Sequence, residues 1–182
     1  MASARRTGSA ESISTYGAGQ DYTVLNTWEA ATDNDNVTGA VSPVLACLAA
    51  QYDDSFGAFG GSTNNATYFR IVRPQSGNFH TGVRGTGVRF VSTVDQAFWV
   101  AQEQYSQLQD VGISVNANSA NSRNLVVVGS TSSGNAAVVG AIVYDSANAG
   151  SGTYHAMLLS VVDNITGFAI SCLVENCEGI GI

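Results

Sequence analysis

The sequence contains no lysine, and that absence sets its first limits. All seven cations are arginine (Arg5, Arg6, Arg70, Arg73, Arg84, Arg89 and Arg123), against 14 acids and a net charge of −7. Phosphate neutralisation needs a basic surface, so nucleic acid is not an expected partner. Charged residues make up only 12% of the chain, well below the usual share of about a quarter. Proline occurs twice and glycine 20 times in 182 residues, which favours tight turns between strands over proline-rich linkers. The three cysteines, Cys47, Cys172 and Cys177, are too few and too odd in number for a disulfide framework. Cys172 and Cys177 are close enough in sequence to meet, but buried thiols are the preferred reading. No C-x-x-C or other ligand spacing occurs, so neither a metal nor a cofactor is expected. No run approaches the ~20 apolar residues of a membrane helix, and a membrane is not an expected partner. Residues 1–16 lack the apolar core of a secretory leader, which points to a product folded in the cytoplasm.

What is present is a repeating apolar pattern in the last third of the chain. Leu108, Val111, Ile113 and Val115 recur in spacing as Val138, Ala141, Val143 and Asp145, and again as Ile165, Phe168, Ile170 and Cys172. A shorter apolar run precedes each set: 97–101, 125–128 and 156–159. A period near 30 with two strand-like runs inside it is the pattern of stacked repeats. Alternation, β-branching and turn-forming Asn, Ser, Gly and Asp make the unit one of strands.

Upstream, residues 1–20 are small and polar and read as an extended arm, ordered by a partner. Thr23 is the candidate N-cap of a short helix that lines up Leu25, Trp28 and Ala31, placed to cap the stack. The acidic turn 33–36 lacks the later Gly and Glu of a calcium loop. Pro43 interrupts the apolar run 41–50 and suggests an edge strand. Residues 51–61 read as an aromatic loop, while 68–74 and 88–92 read as strands. The glycine-rich stretch 77–87 has no following helix or GK pair and is not a phosphate loop. The arm 1–20, the cap and first strands 21–92, and the repeats 93–182 are the expected divisions.

The segment Gln20-Asp21-Tyr22-Thr23-Val24-Leu25-Asn26-Thr27-Trp28-Glu29-Ala30-Ala31 resembles the DYxTLxxWExA opening of right-handed parallel β-helix (pectate-lyase-like) proteins of phage and bacterial surfaces. Residues 68–71, the polar stretch 80–87 and the late run 170–181 are similar to that family's later segments. The resemblance implies an all-β fold: a right-handed parallel β-helix, a single-stranded solenoid of about three to four coils with a capping helix and an N-terminal arm. The stop at 179–182 falls within a further strand layer, so a longer protein or a covering partner chain is expected.

The family's fold hosts enzymes and passive fibres alike, so chemistry is weighed on residues. Glycan hydrolysis needs two facing carboxylates. The candidates are Asp53, Asp54, Asp95, Glu103, Asp110, Asp145, Asp163, Glu175 and Glu178, and no spacing aligns a pair. His80 and His155 have no marked serine nucleophile beside them. Tyr16, Tyr22, Tyr52, Phe56, Phe59, Trp99, Tyr105 and Tyr154 offer a sugar-stacking face or, equally, a set of interface or capping aromatics. No catalytic residue is therefore assigned. The expected role is a structural phage virion component, head- or tail-associated, binding capsid or tail proteins through Arg5, Arg6, Tyr16 and Tyr22. A homo-oligomer and a cell-surface glycan are further expected partners. The alternative is the N-terminal part of a tailspike-type depolymerase, its site beyond residue 182, or a bacterial surface adhesin.

Overall fold

The computed structural model describes residues 7–92, 98–115, 123–128, 135–146, 154–159 and 168–175. In chain order the elements are β1 (Glu11–Tyr16), α1 (Leu25–Ala31), β2 (Ser42–Cys47), β3 (Gln51–Tyr52), β4 (Gly57–Phe59), β5 (Ile71–Pro74), β6 (Arg89–Ser92), β7 (Trp99–Ala101), β8 (Gln107–Gln109), β9 (Gly112–Val115), β10 (Arg123–Val128), β11 (Ala137–Val139), β12 (Ile142–Ser146), β13 (Tyr154–Leu159), β14 (Phe168–Ile170) and β15 (Leu173–Glu175). They form three sheets, ordered β1-β2-β5-β8-β11-β14, β4-β7-β10-β13 and β3-β6-β9-β12-β15. Every strand pairing is parallel.

A shift of one residue would turn each inward side chain outward, so the buried columns hold the register. Leu45, Val72, Leu108 and Val138 stand opposite one another in the first sheet, fully buried. Phe90, Ile113 and Val143 form the matching column of the third sheet. Aromatic rings fill the N-terminal end of the same core. Trp28 stacks on Phe59 with centroids 6.2 Å apart, Phe56 meets Phe59 at 4.9 Å, and Phe90 stacks on Phe98 at 4.8 Å. Each such pair adds about 0.5–1.5 kcal/mol beyond its burial.

The expected parallel β-helix, a solenoid of three to four coils over 93–182, is corrected. The described residues form three separate parallel sheets of six, four and five strands with one short helix, and they do not close into one solenoid. The sheets are unequal because they begin at different points: the first at Glu11, the four-stranded one only at Gly57. The segments 60–70 and 75–88 lie outside all strands and interrupt the succession. The third copy of the repeat is corrected as well. Val138 pairs with Ala169 rather than Ile165, so Leu108, Val138 and Ala169 follow at 30 and 31 residues.

Three local expectations also change. Residues 11–16, read as part of a free arm, pair with β2 from Glu11↔Ser42 to Tyr16↔Cys47. β2 is an interior strand, buried throughout. Its Pro43 is tolerated because β5 pairing starts only at Val44↔Ile71, so its missing N–H interrupts no rung there. The helix is capped at Val24 rather than Thr23, with no local side-chain bond. Asp54, 29 residues away, accepts the Leu25 N–H at 2.9 Å instead and also takes the Tyr16 hydroxyl at 2.9 Å. Leu25 and Trp28 are buried as the spacing predicts, whereas Ala31 is exposed.

The corners between the first and third sheets rest on left-handed backbone. Asp110 (φ 53°), Gly140 (φ 65°) and Ser171 (φ 54°) follow β8, β11 and β14 in turn. A Cβ on Gly140 would collide with the Asp110 carboxylate. His80 closes over this corner: its Nδ1 accepts from Gly82 N–H at 3.1 Å, so its Nε2 carries the proton donated to the Gly140 carbonyl at 2.6 Å. Gly140→Ala should therefore cost about 1–3 kcal/mol in a urea unfolding titration. Ser171→Gly, which relieves a left-handed serine, should leave the midpoint unchanged or raise it. Equal loss in both variants would show that the corner conformation is not the cause.

Candidate functional site

β4 and β7 run parallel from Gly57↔Trp99 to Phe59↔Ala101, and the Gln102 N–H extends the ladder to the Phe59 carbonyl at 2.8 Å. Beyond these carboxyl ends the two chains separate. A cleft of about 360 Å³ opens between segments 61–64 and 102–104. Its lining side chains are hydroxyls, amides and one carboxylate, that of Glu103.

Glu103 is only 5% exposed and Arg70 is fully buried. Arg70 Nε donates to Glu103 Oε1 at 2.9 Å, and its Nη2 donates to Glu103 Oε2. The remaining donors reach the Gly60 carbonyl at 2.7 Å, the Glu29 carbonyl at 3.0 Å, Glu29 Oε1 at 3.3 Å and Thr32 Oγ1 at 3.4 Å. The Phe59 ring lies 4.2 Å from the guanidinium. A buried ion pair repays its desolvation only when its donors and acceptors are satisfied, as they are here. Burial pushes the Glu103 carboxyl above the ordinary glutamate value, with Arg70, Asn64 and Ser62 pulling it back.

The walls are fixed by the preceding segment. Thr63 and Asn36 exchange backbone bonds with the 34–36 turn: Thr63 N–H to the Asn34 carbonyl and Asn36 N–H to the Thr63 carbonyl, both 3.1 Å. Asn36 Nδ2 donates to Asn64 Oδ1 at 2.8 Å, and Asn64 Nδ2 donates to the Gln104 carbonyl at 3.1 Å. Ser62 N–H meets Glu103 Oε2 at 3.3 Å, and its hydroxyl meets the Thr32 carbonyl at 3.0 Å. Gly61 has φ 93°, and the Asp33 carboxylate occupies the space a side chain would take.

The residues singled out from sequence do not converge on this cleft. Arg5 and Arg6 lie outside the described residues. Tyr16, expected to face a partner, is buried to 1% exposure, and its hydroxyl is held above the ordinary tyrosine range by burial and by Asp54. Tyr22 is half-buried against the core. Of the carboxylates, Asp53 is exposed, Asp54 caps α1, Asp110 sits at a corner and Glu103 floors the cleft. Asp95, Asp163 and Glu178, and the side chains of Asp145, Glu175 and His155, fall outside the described residues, as does Cys177. The proposed stacking face is corrected: Tyr16, Phe56, Phe59 and Trp99 are core, Tyr52 is pushed up to about 12 by burial, and Tyr105 packs on Val44, Phe69 and Ile71. The side chain of Tyr154 is not described. Cys47 is buried and its thiol is raised by that burial. Among the described residues no group of three or more His, Cys, Asp or Glu is placed to hold a metal, and no helix is long and apolar enough to cross a membrane.

Sequence reading passed over Arg70 and the Asn36–Asn64 pair. The available signal was a lone charge between Phe69 and Ile71, in a run otherwise bound for the core.

Arg70→Met leaves Glu103 buried and unpaired, so it should cost about 3–5 kcal/mol in urea unfolding. Adding Glu103→Leu should recover part of that loss; no recovery would mean the pair is not the coupled element. In a carboxyl NMR titration Glu103 should titrate above the ordinary glutamate value. Asp21 and Asp35, held low by the Thr15 backbone N–H and the Thr38 hydroxyl, should titrate below the ordinary aspartate value. The signs are opposite. The Glu103 contribution to stability is full below the ordinary glutamate value and is lost as pH rises through the raised one. The Asp21 and Asp35 contributions are present above the ordinary aspartate value and are lost as pH falls through the lowered ones. Comparison with known proteins found no matching family model, no matching curated protein and no matching solved structure.

Proposed function

We propose that the chain is a structural, non-catalytic component of a phage particle, held to a capsid or tail partner through its N-terminal segment. The observation that carries the non-catalytic part is the state of Glu103. This carboxylate belongs to a residue that lines the cleft, yet both of its oxygens accept from one buried guanidinium. A group bound in that way braces the fold and is poorly placed to move protons. The low share of charged residues, 12% with no lysine, supports the particle reading by composition. Arg5 and Arg6 remain the residues proposed to engage the partner.

In particle preparations that carry this chain, it should sediment with the particles at a fixed copy number. Arg5→Glu combined with Arg6→Glu should lower the particle-bound fraction at least tenfold, with the unfolding midpoint unchanged. Release of reducing ends from a polysaccharide by the purified full chain would overturn the non-catalytic reading. Sedimentation apart from the particles would overturn the structural one.

A further inference from the structure

We propose that the cleft between 61–64 and 102–104 binds a neutral saccharide through hydrogen bonds to its hydroxyls. This goes beyond the particle reading and stands without it, because it rests only on the geometry of the cleft.

Size comes first. At about 360 Å³ the cleft lies at the small end of the range for ligand sites, about 300–1,000 Å³. Such sites are mostly apolar, and this one is not: Ser62, Thr63, Asn64, Gln102 and Gln104 surround the Glu103 carboxylate. A lining of that kind matches a ligand that presents many hydroxyls and little apolar surface. Charge narrows the class further. The guanidinium nearest the cleft, Arg70, is fully buried and directs its donors to Glu103, Glu29, Gly60 and Thr32. It offers nothing to a phosphate, sulfate or uronate, and the net charge of −7 repels them. Among the described residues no aromatic ring lines the cleft, so the ligand is gripped by its edges.

Rigidity is the third argument. The walls are tied before any ligand arrives, through Thr63 to Asn34, Asn36 to Asn64 and Asn64 to Gln104. Fixed walls lower the ordering cost of binding a weak, polar ligand. Glu103 is pinned beside them by Arg70 and the Ser62 N–H, so its carboxylate keeps one orientation.

The test is saturation-transfer NMR on the full chain, with galactose, N-acetylglucosamine, lactose and chitobiose as probes and glucuronate as the charged comparison. At least one neutral sugar should receive saturation at millimolar concentration, unaffected by raising the salt. Backbone amide shifts on titration should map to 61–64 and 102–104. The variant Thr63→Val removes a hydroxyl at similar volume and should weaken binding at least threefold at an unchanged unfolding midpoint. If that variant does not fold, the amide-shift map on the unaltered chain decides. No transfer to any of the neutral sugars, shifts that map elsewhere, tighter binding of glucuronate, or undiminished binding by the folded Thr63→Val variant would each overturn the proposal.

Discussion

The placement of one guanidinium fixes the N-terminal third of this protein. Arg70 is fully buried and bonds to α1 through Glu29, to the end of β4 through Gly60, and to the connection after β7 through Glu103. These are elements far apart in sequence, drawn to one point by a charge that needs partners. Phe59 lies against the same guanidinium and is also stacked by Trp28, so the ionic brace and the aromatic core share a wall. Moving any of the three attachments leaves a buried donor or acceptor unmatched, which gives this end of the fold one arrangement rather than several.

Strands were legible in the sequence at 71–74 and 89–92 as well as in the repeats, but their register was legible only where the chain is regular. Leu108, Val111 and Ile113 recur 30 residues later as Val138, Ala141 and Val143, and the sheets pair Leu108 with Val138 and Ile113 with Val143. Earlier layers carry 60–70 and 75–88 outside the strands, so Ile71 meets Gln107 after 36 residues and Gly57 meets Trp99 after 42. Hydrophobic spacing does not reveal a register across such insertions. The third copy failed for another reason. Ile165, Phe168 and Ile170 fit the spacing by type alone, whereas the left-handed corners at Asp110, Gly140 and Ser171 keep step with the paired strands, and backbone sign leaves little trace in apolar pattern. The inference from regular spacing to one solenoid overreached for the same reason, since spacing reports pairing between layers and not closure of the connections.

The site was less legible than the sheets. Asp54 looked like a loop acid and is the cap of a helix 29 residues upstream. Tyr16 and the aromatics at 56, 59 and 99 looked available for contact and are core. In each case the residue type allowed both roles, and the choice lay in non-local contacts. Glu103 stood only as one candidate carboxylate among nine, because nothing near it in sequence shows that Arg70 lies opposite.

The absence of lysine acquires a physical meaning once these contacts are known. Arg73 pairs with Glu11 at 2.7 Å, Arg84 stands 5.7 Å from the Tyr144 ring centre, and Arg70 is sealed within the fold. Arginine suits these tasks because its planar fork can bind two oxygens and stack on a ring, which an ammonium does less well. These three arginines join segments, while the acids that outnumber the cations leave the molecule net negative. A net negative molecule repels polyanions, and the cleft beside Glu103 is lined by the neutral hydrogen-bonding residues Ser62, Thr63, Asn64, Gln102 and Gln104.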